Sequence, residues 1–344
     1  MTLQTLLGID LPVVQAPMVG VQDEALALAV SAAGGLGSMP CAVLDRSQLE
    51  SALQRFAGRP NPINLNFFCH AMTEPDSVQE LRWREALAPY YREFDIERSP
   101  PTTNGVRRPI DDAVVDLLEH YRPKVLSFHF GLPSPHLLKR IKAWGGVVLA
   151  SATSLDEGRW LERHGADVVI AQGIEAGGHR GHFLSDDLTL QASTRELVAQ
   201  LVPALRVPII AAGGIATRAD VQQMFDAGAS AVQAGTAYLL CPEAKTSVVH
   251  RAALARPSAD TALTNLFSGR PARGIVNRLM HDIGALSDLA PAFPWAAQAL
   301  APLRTRAEAL GRDDFSPLWA GTNHHASRGA SAASVTRMLA GIPD

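Results

Sequence analysis

The amino-acid sequence predicts an α/β fold in which parallel strands alternate with helices, and three observations support this prediction. Short apolar runs recur along the chain, with amphipathic segments between them. The runs VVLAS, DVVIAQ and VPIIAAG are apolar almost throughout, as expected for strands buried on both faces. The segments SLDEGRWLERHG and RADVQQMFDAG are patterned as helices and end in glycine, the residue that commonly follows a helix C-terminus.

Eight apolar, β-branched runs are predicted to form strands, and eight strands with intervening helices indicate a closed TIM (β/α)8 barrel. A doubly wound parallel sheet is the alternative. The eight predicted strands are Pro12–Met18, Gly35–Met39, Pro62–Phe67, Lys124–Phe130, Gly146–Ser151, Asp167–Gln172, Val207–Ala212 and Ala229–Gly235.

Two segments interrupt or follow this alternation of strands and helices. Residues 72–122 are polar, contain the Pro/Gly-rich stretch Arg98–Gly105, and form an insertion after strand three. Residues 242–344 follow strand eight and are patterned as helices with several proline breaks. We therefore predict a barrel over residues 1–241, interrupted by this insertion, and a helical extension that packs on it. Since loops after barrel strands lie at the catalytic face, both segments are expected to cover that face.

Composition and charge exclude several classes of protein. The 344 residues include 31 Lys+Arg and 34 Asp+Glu, so the chain lacks the basic surface of a nucleic-acid-binding protein. Cys41, Cys69 and Cys241 are far apart and form no CxxC pair, which favours a reducing compartment over a disulfide scaffold. No basic segment precedes an apolar stretch at the N-terminus, and the longest apolar run, Ala25–Leu36, is shorter than the roughly 20 residues of a spanning helix. We expect a cytoplasmic protein that binds neither nucleic acid nor a membrane.

The C-terminal ends of the predicted strands, where a parallel barrel collects its functional groups, are rich in amides and glycines and poor in carboxylates. The side chains and glycines found there are Met18, Asn66, Gln172, Gly213, Gly214 and the run Gln233-Ala234-Gly235-Thr236.

The loops after strands seven and eight are predicted to bind a phosphate. Gly213 and Gly214 lack side chains, so their backbone N–H groups can approach an anion closely. Thr217 is predicted to cap the next helix, with Asp220 three residues on, and an exposed helix N-terminus supplies further N–H donors. Gly235-Thr236 adds an amide and a hydroxyl. The alternative is that these glycines only make tight turns.

The histidines differ in how well their positions suit a functional role. The sequence Gly177-Gly178-His179-Arg180-Gly181 predicts a flexible loop that presents an imidazole at the barrel rim, where it could exchange a proton at neutral pH. A plain polar role is the alternative for His179. His129, on strand four, is either a cavity residue or a hydrogen-bonded core residue. His324 and His325 are adjacent, which makes a poor metal site, and no metal is predicted. No GxGxxG follows the first strand, which argues against a dinucleotide site.

The motifs QAPMVG, INLNFFCH, QGIEAGGHRG, PIIAAGGIATRADV and AVQAGTAYL, in this order, resemble the nitronate monooxygenase family, formerly called 2-nitropropane dioxygenases. NFFCH and EAGGHRG are similar to its class I branch, and the resemblance covers roughly residues 9 to 240. It implies a TIM-barrel flavoprotein with non-covalent FMN. It also implies oxidation of alkyl nitronates, such as propionate 3-nitronate, with O2 to a carbonyl compound and nitrite.

The resemblance also implies roles for individual residues. His179 is expected to be the catalytic histidine, either as a base toward a nitroalkane or, if protonated, as an anchor for the nitronate anion. Asn66 is preferred to Asn64 because it lies nearer the strand end; Met18 and Gly213 are added from the neighbouring strand ends. The FMN contacts implied by the resemblance are Asn66, Gln172, Gly177, Gly214, Gln233, Ala234, Gly235 and Thr236.

Substrate identity is less determined than the flavin. Some relatives with the same flavin motifs are NADH:quinone reductases or enoyl reductases, so an FMN-dependent NAD(P)H reductase is the alternative function. The third alternative is a non-redox barrel that binds a phosphorylated substrate. The chain departs from the family at Arg107-Arg108-Pro109, which has no tyrosine nearby, and at Gly321-Thr322, where relatives commonly have Gly-Gln. For the oligomeric state, a homodimer is one alternative, and no sequence feature decides it.

Overall fold

The structure, a computed structural model, describes residues 1–97, 106–257 and 259–343. The predicted Pro/Gly-rich stretch Arg98–Gly105 lies outside the described residues. The strands, in chain order, are β1 (Val13–Gln15), β2 (Gly37–Pro40), β3 (Ile63–Phe68), β4 (Val125–His129), β5 (Val147–Ala152), β6 (Val168–Gln172), β7 (Gly178–His179), β8 (Ile209–Ala212), β9 (Ala231–Ala234), β10 (Thr261–Thr264) and β11 (Ala272–Ile275). The helices are α1 (Leu3–Leu7), α2 (Glu24–Ala32), α3 (Arg46–Phe56), α4 (Ser77–Glu93), α5 (Asp112–Tyr121), α6 (Pro135–Ala143), α7 (Leu155–Arg163), α8 (Thr194–Leu201), α9 (Arg218–Asp226), α10 (Val248–Leu254), α11 (Arg278–Ile283), α12 (Ala297–Ala309) and α13 (Ala332–Leu339).

The predicted TIM barrel is confirmed. Eight strands of the described chain pair in parallel in the order β1-β9-β8-β6-β5-β4-β3-β2, and each coincides with a predicted strand. A parallel bridge between Val14 and Leu36 joins the two ends of this order. The barrel therefore closes, and the open-sheet alternative is wrong.

Side chains of the strands fill both faces of the barrel, which explains why the strand sequences are continuously apolar. Along β5, Val147 and Leu149 belong to the inner core, whereas Val148 and Ala150 pack under the outer helices. At the N-terminal end of the barrel, Leu3 of α1 joins the inner core together with Val168, a residue at the start of β6. The N-terminal mouth is thereby filled with apolar side chains.

Helix ends follow the sequence signals. Thr217 caps α9 with its side chain, and Asp220 completes the reciprocal capping box, as the sequence predicted. Gly165 after α7 and Gly228 after α9 have φ values of +102° and +98°, a conformation that L side chains rarely adopt.

The insertion and the C-terminal extension share a second apolar core beside the barrel. Trp83 and Leu87 of α4 pack with Phe315 and other residues of the extension. The Trp83 indole N–H donates to the carbonyl of Ala296 at 3.1 Å. Arg278 of the extension holds Glu93 at the end of α4 through two N–H···O bonds of 2.7 Å. The insertion is thus tied to the extension by both packing and charge.

The extension is mainly helical, as predicted, and also contains the antiparallel strands β10 and β11. β11 pairs in turn with β7, which places Ala272 opposite His179. These short strands were not predicted, because four residues without alternation give no clear strand signal. In the described part of the chain, no helix is long and apolar enough to cross a membrane.

We predict that Trp83→Ala lowers the free energy of unfolding by about 3–5 kcal/mol, since it opens a cavity and leaves the Ala296 carbonyl unpaired. The matched control is Val78→Ala on the same helix, where the side chain is 59% exposed and the expected change is within about 0.5 kcal/mol. Urea denaturation followed by circular dichroism measures both. Equally small effects would contradict the described packing of α4 on the extension.

Candidate active site

A large cavity with a volume of about 180 Å³ opens at the C-terminal ends of the barrel strands. Every residue predicted for the cofactor or the substrate lines it: Met18, Asn66, Gln172, Gly177, His179, Gly213, Gly214, Gln233, Ala234, Gly235 and Thr236. The structure therefore brings together positions that are up to 218 residues apart in the chain (18 to 236).

The cavity lining is free of carboxylates within the described residues. Its ionisable side chains are Arg107 and the three histidines His129, His179 and His250. Such a lining favours an anionic ligand, because no fixed negative charge opposes it.

Backbone N–H groups form an anion cradle at the ends of β8 and β9. Those of Gly214, Ile215, Gly235 and Thr236 have no hydrogen-bond acceptor among the residues that the structure describes. Gly213 and Gly214 have φ values of +129° and +69°, so glycine is required for this turn. Gly214, Ile215, Gly235 and Thr236 all line the cavity, and we call these four residues the anion cradle.

The N-terminus of α9 does not line the cavity, so its N–H groups are not the donors that a ligand there would meet. The Asp220 carboxylate accepts the N–H groups of Ala216 and Thr217 at 3.0 and 2.8 Å, and the Thr217 hydroxyl accepts the N–H of Asp220. The capping box is correct, but it consumes these donors and adds a negative charge. The donors available to an anion belong to the preceding loop instead.

The segment Trp319–Asn323 closes the cradle from the C-terminal extension. The Gly321 N–H donates to the Thr236 hydroxyl at 3.0 Å, and the Asn323 amide donates to the Gly214 carbonyl at 3.2 Å. A side chain at Gly177 would lie 2.6 Å from the Gly321 nitrogen, so glycine is required for this close approach. The departure from the family at Gly321-Thr322 therefore lies beside the cradle.

Asn66 and Asn64 differ as the sequence predicted. Asn66 lines the cavity and donates to the Ser127 hydroxyl at 2.9 Å. Asn64 is fully buried below it, where its amide donates to Ser38 and Ser127. Asn66 is thus the amide that can reach a ligand.

The segment after β6, predicted to be a flexible loop, is held by side-chain hydrogen bonds. The Gln172 amide donates to the His179 carbonyl at 2.9 Å and accepts the Gly181 N–H at 2.7 Å. The fully buried Arg180 donates to the carbonyls of Gln172 and Gly173 and to Gln191. Gln172 lines the cavity, but its side chain holds this segment in place.

The His179 imidazole is half-buried and surrounded by aromatic rings. Its Nε2 lies 2.9 Å from the Ser268 hydroxyl, and its ring centroid lies 5.6 Å from those of Trp319 and Phe293. Burial, and then the positive charge of Arg107, lower the pKa of His179 well below the usual histidine value. The imidazole is therefore neutral at pH 7.

The other two histidines of the cavity are also neutral at pH 7. His129 binds the Ser151 hydroxyl through Nδ1 and the His179 carbonyl through Nε2, and burial lowers its pKa to about 3. It lines the cavity, yet both its nitrogens are engaged. Burial lowers the pKa of His250 to about 4, and its Nε2 has no partner among the described residues.

Sequence reasoning missed two residues of the extension: His250, which lines the cavity, and Ser268, which contacts His179. They follow none of the barrel strands, and only the fold brings them to the site. Among the described residues, no group of three or more His, Cys, Asp or Glu side chains is placed to hold a metal ion.

Comparison with known proteins agrees with this geometry. The sequence profile of the nitronate monooxygenase family matches residues 1–341. A nitronate monooxygenase of Pseudomonas aeruginosa is 39% identical over 338 residues, which cover 97% of this chain and 96% of that protein. One from Paraburkholderia phytofirmans is 36% identical over 340 residues, with 97% and 92% covered.

Solved structures show the same likeness. A nitroalkane oxidase from Streptomyces ansochromogenes has a TM-score of 0.87 at 34% identity and covers 98% of this chain and 96% of its own. FabK from Thermotoga maritima, with a TM-score of 0.72 at 24% identity and 98% and 93% covered, shares the fold. The family match spans nearly the whole chain, and the motifs that predicted it line the cavity. The chain therefore belongs to the nitronate monooxygenase family of oxidoreductases.

Proposed function

We propose that the protein binds FMN in this cavity and oxidises alkyl nitronates, of the propionate 3-nitronate type, with O2 to a carbonyl compound and nitrite. One observation supports this most strongly: the cavity joins an anion cradle to a neutral, aromatic-walled histidine without any carboxylate between them. The family to which the chain belongs agrees with this chemistry.

The residues present fit FMN. The four unpaired N–H groups of the anion cradle would hold its phosphate. The side-chain amide oxygen Oε1 of Gln233 is buried without a partner among the described residues and would accept a hydrogen bond from the cofactor. Met18, Asn66 and Gly177 line the same space. When bound there, FMN supplies the oxidation of the nitronate and the reduction of O2.

The hydrogen bonds of Ser268 define what His179 can do. The Ser268 hydroxyl lies 3.2 Å from the Arg270 carbonyl and 2.9 Å from His179 Nε2; when the hydroxyl donates to that carbonyl, Nε2 is the donor to Ser268. Nδ1 then keeps its lone pair and is free of hydrogen bonds to the described residues. A neutral imidazole in this tautomer can take the α-proton from a nitroalkane, whereas a preformed nitronate needs no such step.

The function is tested by the visible spectrum and by product analysis. The purified protein should be yellow, lose its colour when propionate 3-nitronate is added without O2, and release nitrite in air. Rapid anaerobic bleaching by NADH with no nitrite formation would instead support the NAD(P)H reductase. A colourless protein that does not take up FMN would contradict both.

Gly214→Asp should give a folded protein that is largely free of flavin, because a carboxylate would lie beside the phosphate and strain the turn. Gly58→Asp is the matched control, since Gly58 also has a left-handed φ, +71° against +69°, and lies in open space. The FMN content per chain measures the effect. Full flavin content in Gly214→Asp would place the phosphate elsewhere.

His179→Asn should retain FMN and lose about 10²–10⁴-fold in kcat/KM on a neutral nitroalkane, because proton transfer is lost. The loss on the preformed nitronate should be much smaller. Steady-state rates on both substrates, with flavin content checked, measure this difference. A comparable loss on both would assign His179 to binding the anion.

The pH profile of the wild-type enzyme provides the control for this role. Since the pKa of His179 is lowered, the base stays neutral and kcat/KM on a nitroalkane should hold level from about pH 7.5 to about 6.5. The rate should fall only at more acidic pH, as the imidazole becomes protonated. A midpoint near the ordinary histidine pKa would contradict a buried, neutral base.

A further inference from the structure

Arg107 lines the cavity without a partner for its charge. Its Nε is buried and has no hydrogen-bond acceptor among the described residues, and none of their carboxylates forms an ion pair with it. The stretch Arg98–Gly105 that precedes it contains no Asp or Glu. Arg107 is half-buried, and its guanidinium faces the cavity without an internal counter-charge among the described residues, which makes it a site for an anionic group.

The other arginines near the cavity, the buried Arg180 and the half-buried Arg270 and Arg273, each have a partner in the protein. The Nε of Arg270, like that of Arg107, has no acceptor among the described residues, but Arg270 is held through its other nitrogens. Arg180 has three hydrogen bonds to oxygens, and Arg273 donates to the Ile174 carbonyl at 2.8 Å and to Thr261. Arg270 lies 4.3 Å above the Phe130 ring and donates to the His182 carbonyl. Arg107 differs from all three, because the described residues provide neither an acceptor nor an aromatic face for it.

Arg107 lies on the far side of the barrel mouth from the anion cradle. The Ile110 N–H donates to the Phe68 carbonyl at 2.9 Å, which fixes this segment to the end of β3. β3 and β8 are four strands apart in either direction around the closed barrel. The cradle begins at β8, so Arg107 and the cradle serve different anions.

Arg107 is also close enough to His179 to affect it. Phe68, to which its segment is bound, lies 6.3 Å from His179 between ring centroids. After burial, the charge of Arg107 is the largest influence that lowers the pKa of His179. Both side chains line the same cavity, so a substrate held at His179 shares that space with the guanidinium.

We propose that Arg107 is a specificity residue that binds a second anionic group, a carboxylate, at the far end of the nitro substrate. The planar guanidinium can hold a carboxylate through two parallel hydrogen bonds. This assignment rests on the proposed function, because it names the substrate class of the same site. It implies that the enzyme prefers nitronates with a carboxylate tail to uncharged ones.

The test compares propionate 3-nitronate with the nitronate of 3-nitropropionamide, which has the same shape without the second charge. Arg107→Met should lower kcat/KM on the carboxylate substrate by about ten- to a hundred-fold, mainly through KM. On the amide the change should be less than about threefold. Arg108→Met is the matched control, since Arg108 is exposed and outside the cavity, and it should change neither rate. Equal losses on both substrates, or none on either, would overturn the proposal.

Two further measurements separate this proposal from a structural role and from the proposed function. The melting temperature of Arg107→Met should not fall, because the variant loses an unpartnered, half-buried charge; a large fall with equal losses on both substrates would overturn the proposal. Anaerobic calorimetric titration of the flavin-containing protein with 3-nitropropionate and 3-nitropropionamide needs no turnover. A preference for the carboxylate that Arg107→Met abolishes supports the proposal even if no nitronate is oxidised, which would refute the proposed function alone. Equal binding of the two ligands by the wild type would overturn it.

Discussion

Arg180 brings a positive charge into the fully buried layer beneath the cavity, where it donates to two carbonyl groups at the end of β6 and to Gln191. Burial lowers its pKa to about 9, so it stays charged at neutral pH and must keep all of these acceptors. The backbone of Gln172–Gly181 is therefore folded around the guanidinium. The position of His179, one residue before Arg180, is fixed in the same way. The Gln172 amide and the pairing with β11 also hold this residue in place.

The barrel alone does not make the site. Its strand ends supply the anion cradle and the amide of Asn66, but the hydrogen-bond partner of His179 and the wall of the cradle come from the extension. The extension is held in turn by the insertion through the second apolar core. Three segments that are distant in the chain thus meet over one end of the barrel, and a change at Trp83 can reach the cavity through packing alone.

The barrel was predictable because strands buried on both faces have continuously apolar sequences, and the residues that line the cavity because parallel strands end at one face. The pairing of Gly178–His179 with β11 was not, since two residues carry no strand period. Ser268 was equally hidden, as nothing in its local sequence indicates a contact with a residue 89 positions away, whereas the segment around Asn323 was singled out only through the family resemblance. Thr217 and Asp220 show another limit: the capping box was predicted correctly, but whether this end of α9 lines the cavity depends on the fold.

The contacts of Trp319–Asn323 with the anion cradle also set an order of events during protein synthesis. All eight barrel strands leave the ribosome before this segment, so the barrel can assemble while one wall of the cradle is still missing. The cradle is completed only when Gly321 and Asn323 reach Thr236 and Gly214. A ligand held there is enclosed by a late segment of the chain, and its capture is therefore coupled to the docking of the extension rather than to the closure of the barrel.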